Sequence, residues 1–352
     1  MKYSIIVPVF NRPDEVDELL RSLTSQQEKD FEVVIVEDGS QISCEDICKH
    51  YEDKMDIHYY YKQNSGPGQS RNYGAERASG EYLLILDSDV VLPEGYLKAV
   101  NDELSREPAD AFGGPDKAHS SFTDTQKAIS YSMTSFFTTG GIRGGKKKMD
   151  KFYPRSFNMG IRKDVYLKLG GFSNMRFGED IDFSIRIFKA GSKCRLFPEA
   201  WVWHKRRTDF RKFWRQVYNS GIARINLYKK YPESLKLVHL LPMVFTLGVI
   251  GTCLLLFFGF LPQMLGTEHI FPLVGQIVSI LGIIGLFCIL LYSVALCIDS
   301  AQQNKSLKIG LLSIRAAFTQ LLGYGCGFLS AWWKRCVCGK NEFSAYNKTF
   351  YK

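Results

Sequence analysis

Two carboxylates one residue apart, Asp87 and Asp89, close the apolar run Tyr82-Leu83-Leu84-Ile85-Leu86 in this chain of 352 residues. A buried strand ending in Asp-Ser-Asp presents oxygen atoms where open α/β sheets bind their ligands. A hard dication such as Mg²⁺ takes one or two carboxylates and completes its shell with phosphate oxygens. The chemistry suggested is a divalent metal held against a diphosphate. An Asp-x-Asp alone is also a common solvated turn, so its neighbours carry the argument. Glu179 and Asp180 open the helix pattern that continues through Ile185, Ile187 and Phe188. A carboxylate there is kept ionised by the helix dipole and can accept a proton from an attacking hydroxyl, although an acidic helix cap has the same pattern. His204 follows the strand-like run Ala200-Trp201-Val202-Trp203. Its imidazole can complete the metal site, touch a phosphate, or pack structurally beside the tryptophans.

The elements that would position these groups alternate. Ser4-Ile5-Ile6-Val7-Pro8-Val9 is a β-branched run, followed by Asn11-Arg12-Pro13 and a helical stripe of Val16, Leu19, Leu20 and Leu23. Phe31-Glu32-Val33-Val34-Ile35-Val36 ends in Glu37-Asp38-Gly39-Ser40, with a helix expected from Ser43. Ile57-His58-Tyr59-Tyr60-Tyr61 leads to Gln63-Asn64-Ser65-Gly66-Pro67-Gly68 and a helix carrying Arg71, Asn72, Gly74 and Ala75. Strand and helix in regular alternation predict a doubly wound, mostly parallel, Rossmann-like α/β sheet.

Pro8 with Asn11, Asp38-Gly39-Ser40, Gly66 with Arg71-Asn72, Asp87-Ser88-Asp89, and Gly170-Gly171-Phe172 leading to Glu179-Asp180-Ile181-Asp182-Phe183 follow one another in an order that resembles family 2 glycosyltransferases of the GT-A fold, of the membrane-anchored bacterial type. The resemblance covers about residues 3–205. It implies a metal-dependent, inverting transfer of a sugar from a nucleotide-diphospho-sugar, with Mg²⁺ or Mn²⁺ as cofactor. By the same resemblance Pro8, Asn11, Asp38, Gly66, Arg71, Asp87 and Ser88 bind the nucleotide-sugar, Asp87, Asp89 and His204 hold the metal, and Asp180 is the general base, with Glu179 orienting it or the acceptor. In the family the aspartate matching Asp38 contacts the base, usually uracil. Read from the residues alone, Asp38 accepts hydrogen bonds from a base or ribose, or starts an Asx turn. Arg71 neutralises phosphate charge, or lies on a solvated face. Lys205-Arg206-Arg207 meets a diphosphate, an anionic acceptor or lipid headgroups.

Between Gly113-Gly114-Pro115 and Asn158 the chain is rich in Ser, Thr, Gly and Lys, with Gly140-Gly141-Ile142-Arg143-Gly144-Gly145-Lys146-Lys147-Lys148. No fixed core element is expected there; the stretch reads as a mobile loop over the active site or as a surface insertion. After about residue 205 the composition changes. Phe210, Phe213, Trp214, Val217, Tyr218, Gly221, Ile222 and Ile225 recur at helical spacing among Arg211, Lys212, Arg215 and Arg224, a basic amphipathic helix suited to an anionic membrane surface, although soluble core helices carry similar stripes. Residues 237–261 and 271–298 are long and apolar enough to cross a hydrocarbon core, which takes roughly 20 residues. Residues 307–333 carry Lys308, Arg315 and Gln320 and are ambiguous between spanning, re-entrant, paired and interfacial.

Lys229, Lys230 and Lys236 before the first span and Lys305 and Lys308 after the second, against none at 262–270, place the catalytic domain in the cytoplasm of a multi-pass inner (plasma) membrane protein. The net charge of +9 gathers near these segments, favouring membrane lipids over nucleic acid. No nucleic-acid-binding motif is present. The nine cysteines suggest no disulfide framework, and Pro8 and Asn11 interrupt any signal-peptide pattern at the start.

The expected organisation is a nucleotide-sugar-binding half at 1–115, an acceptor-binding half at 116–208, an interface helix at 209–236, transmembrane or interfacial helices at 237–333 and a cytoplasmic tail at 334–352. The expected activity is glycosyl transfer, leaning to a UDP-sugar, onto a hydroxyl of a lipid-linked acceptor in glycan or polysaccharide assembly. A polyprenyl-phosphate sugar synthase and a catalytically silent nucleotide-sugar-binding membrane protein are the alternatives. A processive synthase fits less well, since Gln216 is followed by Val217, Tyr218, Asn219 and Ser220 and not by the Gln-x-x-Arg-Trp of such enzymes.

Overall fold

The computed structural model describes residues 2–117, 122–139, 152–175, 177–205, 208–264 and 272–341. Among these, residues 2–117 and 152–205 form one compact unit, and residues 122–139 and 208–341 form another. The expected boundary at 116 differs from this division, because residues 122–139 join the helical unit.

The first unit begins β1 (Tyr3–Val9), α1 (Pro13–Thr24), β2 (Phe31–Asp38), α2 (Glu45–Tyr51), β3 (Asp56–Lys62), α3 (Pro67–Arg77), β4 (Tyr82–Leu86), β5 (Val90–Val91), α4 (Tyr96–Arg106), β6 (Ala111–Gly113) and β7 (Asp116–Lys117). The chain then supplies α5 (Asp124–Thr134) and α6 (Phe136–Thr139) to the second unit. It returns as β8 (Asn158–Arg162), α7 (Lys163–Lys168), α8 (Glu179–Lys189), β9 (Cys194–Leu196) and β10 (Val202–His204). The second unit is completed by α9 (Phe210–Lys230), α10 (Leu241–Met264), α11 (Pro272–Asn304) and α12 (Leu307–Trp332).

Among the described residues the main sheet has the order β3-β2-β1-β4-β8-β6-β9. Strands β1 to β4 pair in parallel, whereas β8 runs antiparallel to both β4 and β6, so the sheet is mixed but mostly parallel. Successive residues of β1 point to opposite faces. Ile5, Val7 and Val9 pack with Val16, Leu19 and Leu20 of α1, while Ile6 packs with Ala75 of α3 and with Phe172 and Phe183. Both faces are therefore covered, which is why β2 is buried along its whole length and reads as a continuous apolar run with acidic ends. A second sheet, β5-β10-β7, pairs Trp203 with Val91 and His204 with Val90, and Val202 with Asp116.

In the helical unit the stripe on α9 is not bare. Phe213, Val217, Ala223, Ile225 and Leu227 are buried, and the helix lies against the small residues of α12. A Cβ on Gly221 would stand 2.2 Å from the Tyr324 carbonyl oxygen, and one on Gly327 would stand 2.0 Å from that of Tyr218. Backbones this close need glycine at the contact. The expected membrane-surface helix is thus half of a helix pair, and the ambiguous 307–333 segment is its partner, with Gly310, Ser313, Ala316, Ala317, Gly323 and Gly327 among its buried residues.

The expectation of no fixed element between Gly113 and Asn158 is also corrected. α5 begins with a reciprocal capping box, in which Thr123 accepts from the Gln126 amide and Gln126 turns back to Thr123. It packs Ala128, Ile129 and Met133 with Phe213, Val217, Ile309 and Ala316. The glycine- and lysine-rich run at 140–148 lies outside the described residues, as do residues 206 and 207, 265–271 and most of the tail. Two segments, Leu237–Pro262 and Leu273–Asn304, are long and apolar enough to cross a membrane.

Candidate active site

The candidate site lies at the carboxyl ends of the parallel strands, and its side chains are placed by sheet register. Asp87 and Asp89 occupy the turn between β4 and β5. Because His204 pairs with Val90 across the small sheet, and the Lys205 amide donates to the Asp89 carbonyl at 3.0 Å, the imidazole is brought beside the Asp89 carboxylate. His204 Nε2 lies 3.2 Å from Asp89 Oδ1. Ligand atoms of Asp87, Asp89 and His204 all lie within 4.8 Å of one another, a group able to hold a metal ion. Ligands about 2.1 Å from an octahedral ion are about 3 Å apart when adjacent and about 4 Å apart when opposite, so the donors need only a small inward movement. The two carboxylates suit Mg²⁺ or Mn²⁺, and an imidazole donor favours the softer Mn²⁺.

The histidine has a shell of its own. Its ring stacks on Phe157 with centroids 4.8 Å apart, and its Nδ1 faces Asp116 Oδ2 at 3.8 Å. A carboxylate behind the second ring nitrogen orients metal-ligating histidines. Arg12, next to Asn11, reaches Asp89 Oδ2 at 3.2 Å and Glu15 at 2.6 Å.

Arg71 does not lie on a solvated face. The residue is buried, its guanidinium donating to Asp87 Oδ1 at 2.6 Å and to Glu179 Oε1 at 3.3 Å, with its face toward the Phe172 ring. One cation therefore ties the end of β4 to the start of α8. Asp180, the next residue, receives Arg155 Nε on Oδ2 at 2.7 Å and the Ile181 amide on Oδ1 at 2.8 Å. Glu179, Asp180 and Asp182 all fall in the first turn of α8. The Glu179 carboxyl is raised above the ordinary carboxylate range, first by burial and then by the charge of Asp180, against the opposing pull of Arg71.

Asp38 is 1% exposed and serves the loop before α3. Its Oδ1 accepts from Lys62 and from the Ser65 amide at 2.9 Å, and its Oδ2 from the Gly66 amide at 2.8 Å. A carboxylate has about four lone-pair sites, so a further donor can still share Oδ2. Gly66 itself has φ +92°, the left-handed region that lets the chain turn sharply into α3. Asn11, also left-handed, accepts on Oδ1 from the amides of Gln41 and Ile42 at 2.7 and 3.0 Å, so it clasps the loop after β1 to the loop after β2. Pro8 sits in β1 opposite Val36, and Ser88 is buried with its hydroxyl 3.5 Å from Glu15. Lys205 pairs with Glu18 at 2.6 Å.

The geometry brings together Asp87, Asp89 and His204, and separately links Asp87 to Glu179 and so to its neighbour Asp180. The sequence reading missed Arg12, Arg155 and Asp116. Arg12 was within sight, inside Asn11-Arg12-Pro13; Arg155 and Asp116 belong to no local pattern.

The family model for glycosyl transferase family 2 matches residues 4–170. That span is a family 2 glycosyltransferase domain. Its fold is GT-A, with the described Asp-x-Asp turn, and the family span stops short of α8, so Glu179 and Asp180 lie beyond it. Among curated relatives, a glycosyltransferase of Rickettsia bellii described as uncharacterized is 36% identical over 88 residues, 25% of this chain and 13% of that protein. The GalNAc(5)-diNAcBac-PP-undecaprenol beta-1,3-glucosyltransferase of Campylobacter jejuni is 32% identical over 115 residues, 32% of this chain and 37% of the relative. The chain thus spans well under half the length of these relatives. Among solved structures, the mannosyltransferase PcManGT from Pyrobaculum calidifontis in complex with GDP-Man and Mn²⁺ aligns over 95% of this chain and 88% of its own, with a TM-score of 0.56 and 14% identity, a likeness of fold.

Proposed function

We propose that this family 2 glycosyltransferase is a membrane-anchored, metal-dependent inverting enzyme that moves one sugar from a nucleotide-diphospho-sugar to a hydroxyl of a lipid-linked acceptor in glycan or polysaccharide assembly. The observation that carries the reading is the bridge Asp87–Arg71–Glu179, which joins the diphosphate end of the site to the helix start bearing the expected base. Asp87, Asp89 and His204 are the residues that would hold Mg²⁺ or Mn²⁺, which when bound supplies neutralisation of charge on a leaving diphosphate.

The remaining chemistry belongs to the chain. Asp180 takes the proton from the acceptor hydroxyl as that oxygen attacks the anomeric carbon on the face opposite the departing nucleoside diphosphate. Arg155 holds the Asp180 carboxylate by its Oδ2 edge and fixes its direction. Glu179, held by Arg71 on one side and next to Asp180 in the first turn of α8, orients the acceptor or the base. Arg71 holds the two halves at a fixed separation. Asp38 and Asn11 shape the loops where the base and ribose would lie.

A membrane location is supported by Leu237–Pro262 and Leu273–Asn304, whose outward side chains, including Phe257, Phe258, Leu290 and Leu291, are exposed. Basic residues flanking these segments support a cytoplasmic catalytic unit. The Campylobacter relative, whose name specifies an undecaprenol-linked substrate, supports a lipid-linked acceptor, and the uridine lean comes from the sequence resemblance.

The test is release of nucleoside diphosphate by purified protein in lipid, over a panel of nucleotide-sugars with extracted lipid acceptors. Metal-dependent turnover that is lost in Asp89→Ala and in Asp180→Asn supports the reading. Turnover indifferent to Asp180→Asn points to an acceptor that is already ionised, such as a lipid phosphate; binding without turnover on every donor refutes it.

A further inference from the structure

The short helix α6 has its polarity inside out. Phe136 is 73% exposed and Phe137 is 45% exposed, while Ser132, Ser135 and Thr138 beside them are 0%, 7% and 7% exposed. In water the order is normally the reverse. The hydroxyls here turn back on their own chain. Thr134 donates to the Ser130 carbonyl at 2.9 Å, Thr139 to that of Ser135 at 2.8 Å, and Thr138 to those of Ser132 and Ser135, while the Ser135 hydroxyl accepts from the Phe137 amide at 3.2 Å. The Phe137 carbonyl accepts from the Tyr292 hydroxyl of α11 at 3.0 Å. Satisfying polar groups internally while turning aromatic rings outward is the arrangement hydrocarbon demands and water does not.

The place of this turn along α11 agrees. Five residues before α6, α5 is tied to α11 further along that helix, where Tyr131 donates to Asp299 Oδ2 at 2.6 Å and Gln303 donates to the same oxygen at 3.0 Å. Asp299 and Gln303 mark the polar end of α11. Tyr292 lies seven residues, or about 10 Å at helical rise, into its apolar part. Around it Phe287, Leu290, Leu291 and Val294 are all more than half exposed. The outward rings of α6 therefore continue the exposed apolar belt of α11.

We propose that α6 is a membrane-embedded wedge, with Phe136 and Phe137 in contact with lipid acyl chains alongside α11. Residues 136 and 137 would then give the helical unit a lipid contact additional to the apolar helices. This rests on the reading of Leu273–Asn304 as a membrane span.

The experiment places 4-trifluoromethylphenylalanine at position 136, and in parallel at 137, 287 and 42, in the full chain in nanodiscs of phosphatidylethanolamine and phosphatidylglycerol. Fluorine linewidths are compared with acyl-chain doxyl lipid and with an aqueous nickel chelate. At 136 or 137, and at 287, the doxyl lipid is expected to broaden the line at least threefold more than the chelate, and at exposed Ile42 the order is expected to reverse. Broadening by doxyl at 287 but by the chelate at both 136 and 137 overturns the wedge and leaves the span standing. Broadening by the chelate at 287 overturns both. At 136, 137 and 287 the replacement keeps a phenyl ring on an exposed position, and the label at 137 covers loss of folding at 136.

Discussion

Asp87, Asp89 and His204 at one end of the strands, and Glu32, Asp56 and His58 at the other, each bring two carboxylates and an imidazole within 4.8 Å. Their surroundings differ. Glu32 is buried near the start of β2, with Oε1 accepting from the Ser4 hydroxyl and from the amide and hydroxyl of Ser79 and with Oε2 3.3 Å from His58. Its register opposite Asp56 is simply that of two paired strands. Asp87 and Asp89 are instead approached by arginines, Arg71 and Arg12, from the loops and helices that follow parallel strands. The same residue types at the amino end of a sheet close a structural network, and at the carboxyl end, among cations, they face the place where ligands bind.

Asp89→Ala is the substitution expected to separate the two clusters most. Turnover of the donor should fall on the order of 10²–10³-fold, since a bound metal contributes several kcal/mol and each 1.4 kcal/mol or so is tenfold. Asp56→Ala should leave turnover within about twofold; equal losses in a donor-release assay would erase the distinction. Next comes Asp180→Asn, expected to cost about 10²–10⁴-fold in kcat with little change in donor affinity, as loss of a general base does. Isothermal titration of the donor alongside kinetics checks both halves of that statement.

Stability should divide the clusters too. Arg71→Met leaves Asp87 and Glu179 without their shared cation and should lower unfolding free energy by about 3 kcal/mol, read from urea midpoints. Glu32→Ala should cost about 2 kcal/mol by stranding the Ser4 and Ser79 donors, while donor turnover per folded molecule is unchanged.

The smallest and most diagnostic effect is in pH dependence. Burial pushes the Glu32 carboxyl up, but the Ser4 and Ser79 hydrogen bonds and His58 outweigh it, so the net shift is below the ordinary value. Its stabilisation is present above the unfolded pKa and is lost as pH falls through the lower, folded one. Glu179 is shifted the other way, so between its unfolded and raised folded pKa the native state binds the extra proton and stability falls as pH rises. Glu32→Gln should flatten the acid limb of the stability curve, and Glu179→Gln should remove the decline above it. Curves that respond with the opposite signs would show the two environments to have been assigned the wrong way round.

Much of the fold could be read from local pattern because each strand of the parallel core is an apolar run with a polar end. The Asp87/Asp89 turn is legible for the same reason, and the α8 start because an acidic first turn leads into a helical apolar stripe. What escaped was long-range. Nothing near Arg71 says that Asp87, 16 residues on, and Glu179, 108 residues on, will bury it. Arg155 and Asp116 act only once β8, β7 and β10 are assembled. The α5 helix was missed for another reason. Its Ser- and Thr-rich composition reads as loop, yet Thr123-Asp124-Thr125-Gln126 carries the spacing of a capping box, which outweighs composition when an apolar stripe follows. The apolar stripe of α9 is legible in its spacing, but its partner α12 is not, since the buried glycines Gly323 and Gly327 of that helix take meaning only against α9.

The two-residue ladder that sets His204 opposite Val90 has a consequence for how the site can vary over evolution. Side chains alternate along a strand, so removing or adding one residue between Asp89 and Val91, or just before His204, would turn the Asp89 or His204 side chain to the far side of the ribbon. Lineages that keep this chemistry should accept exchanges of amino acid in these short strands far more readily than changes in their length.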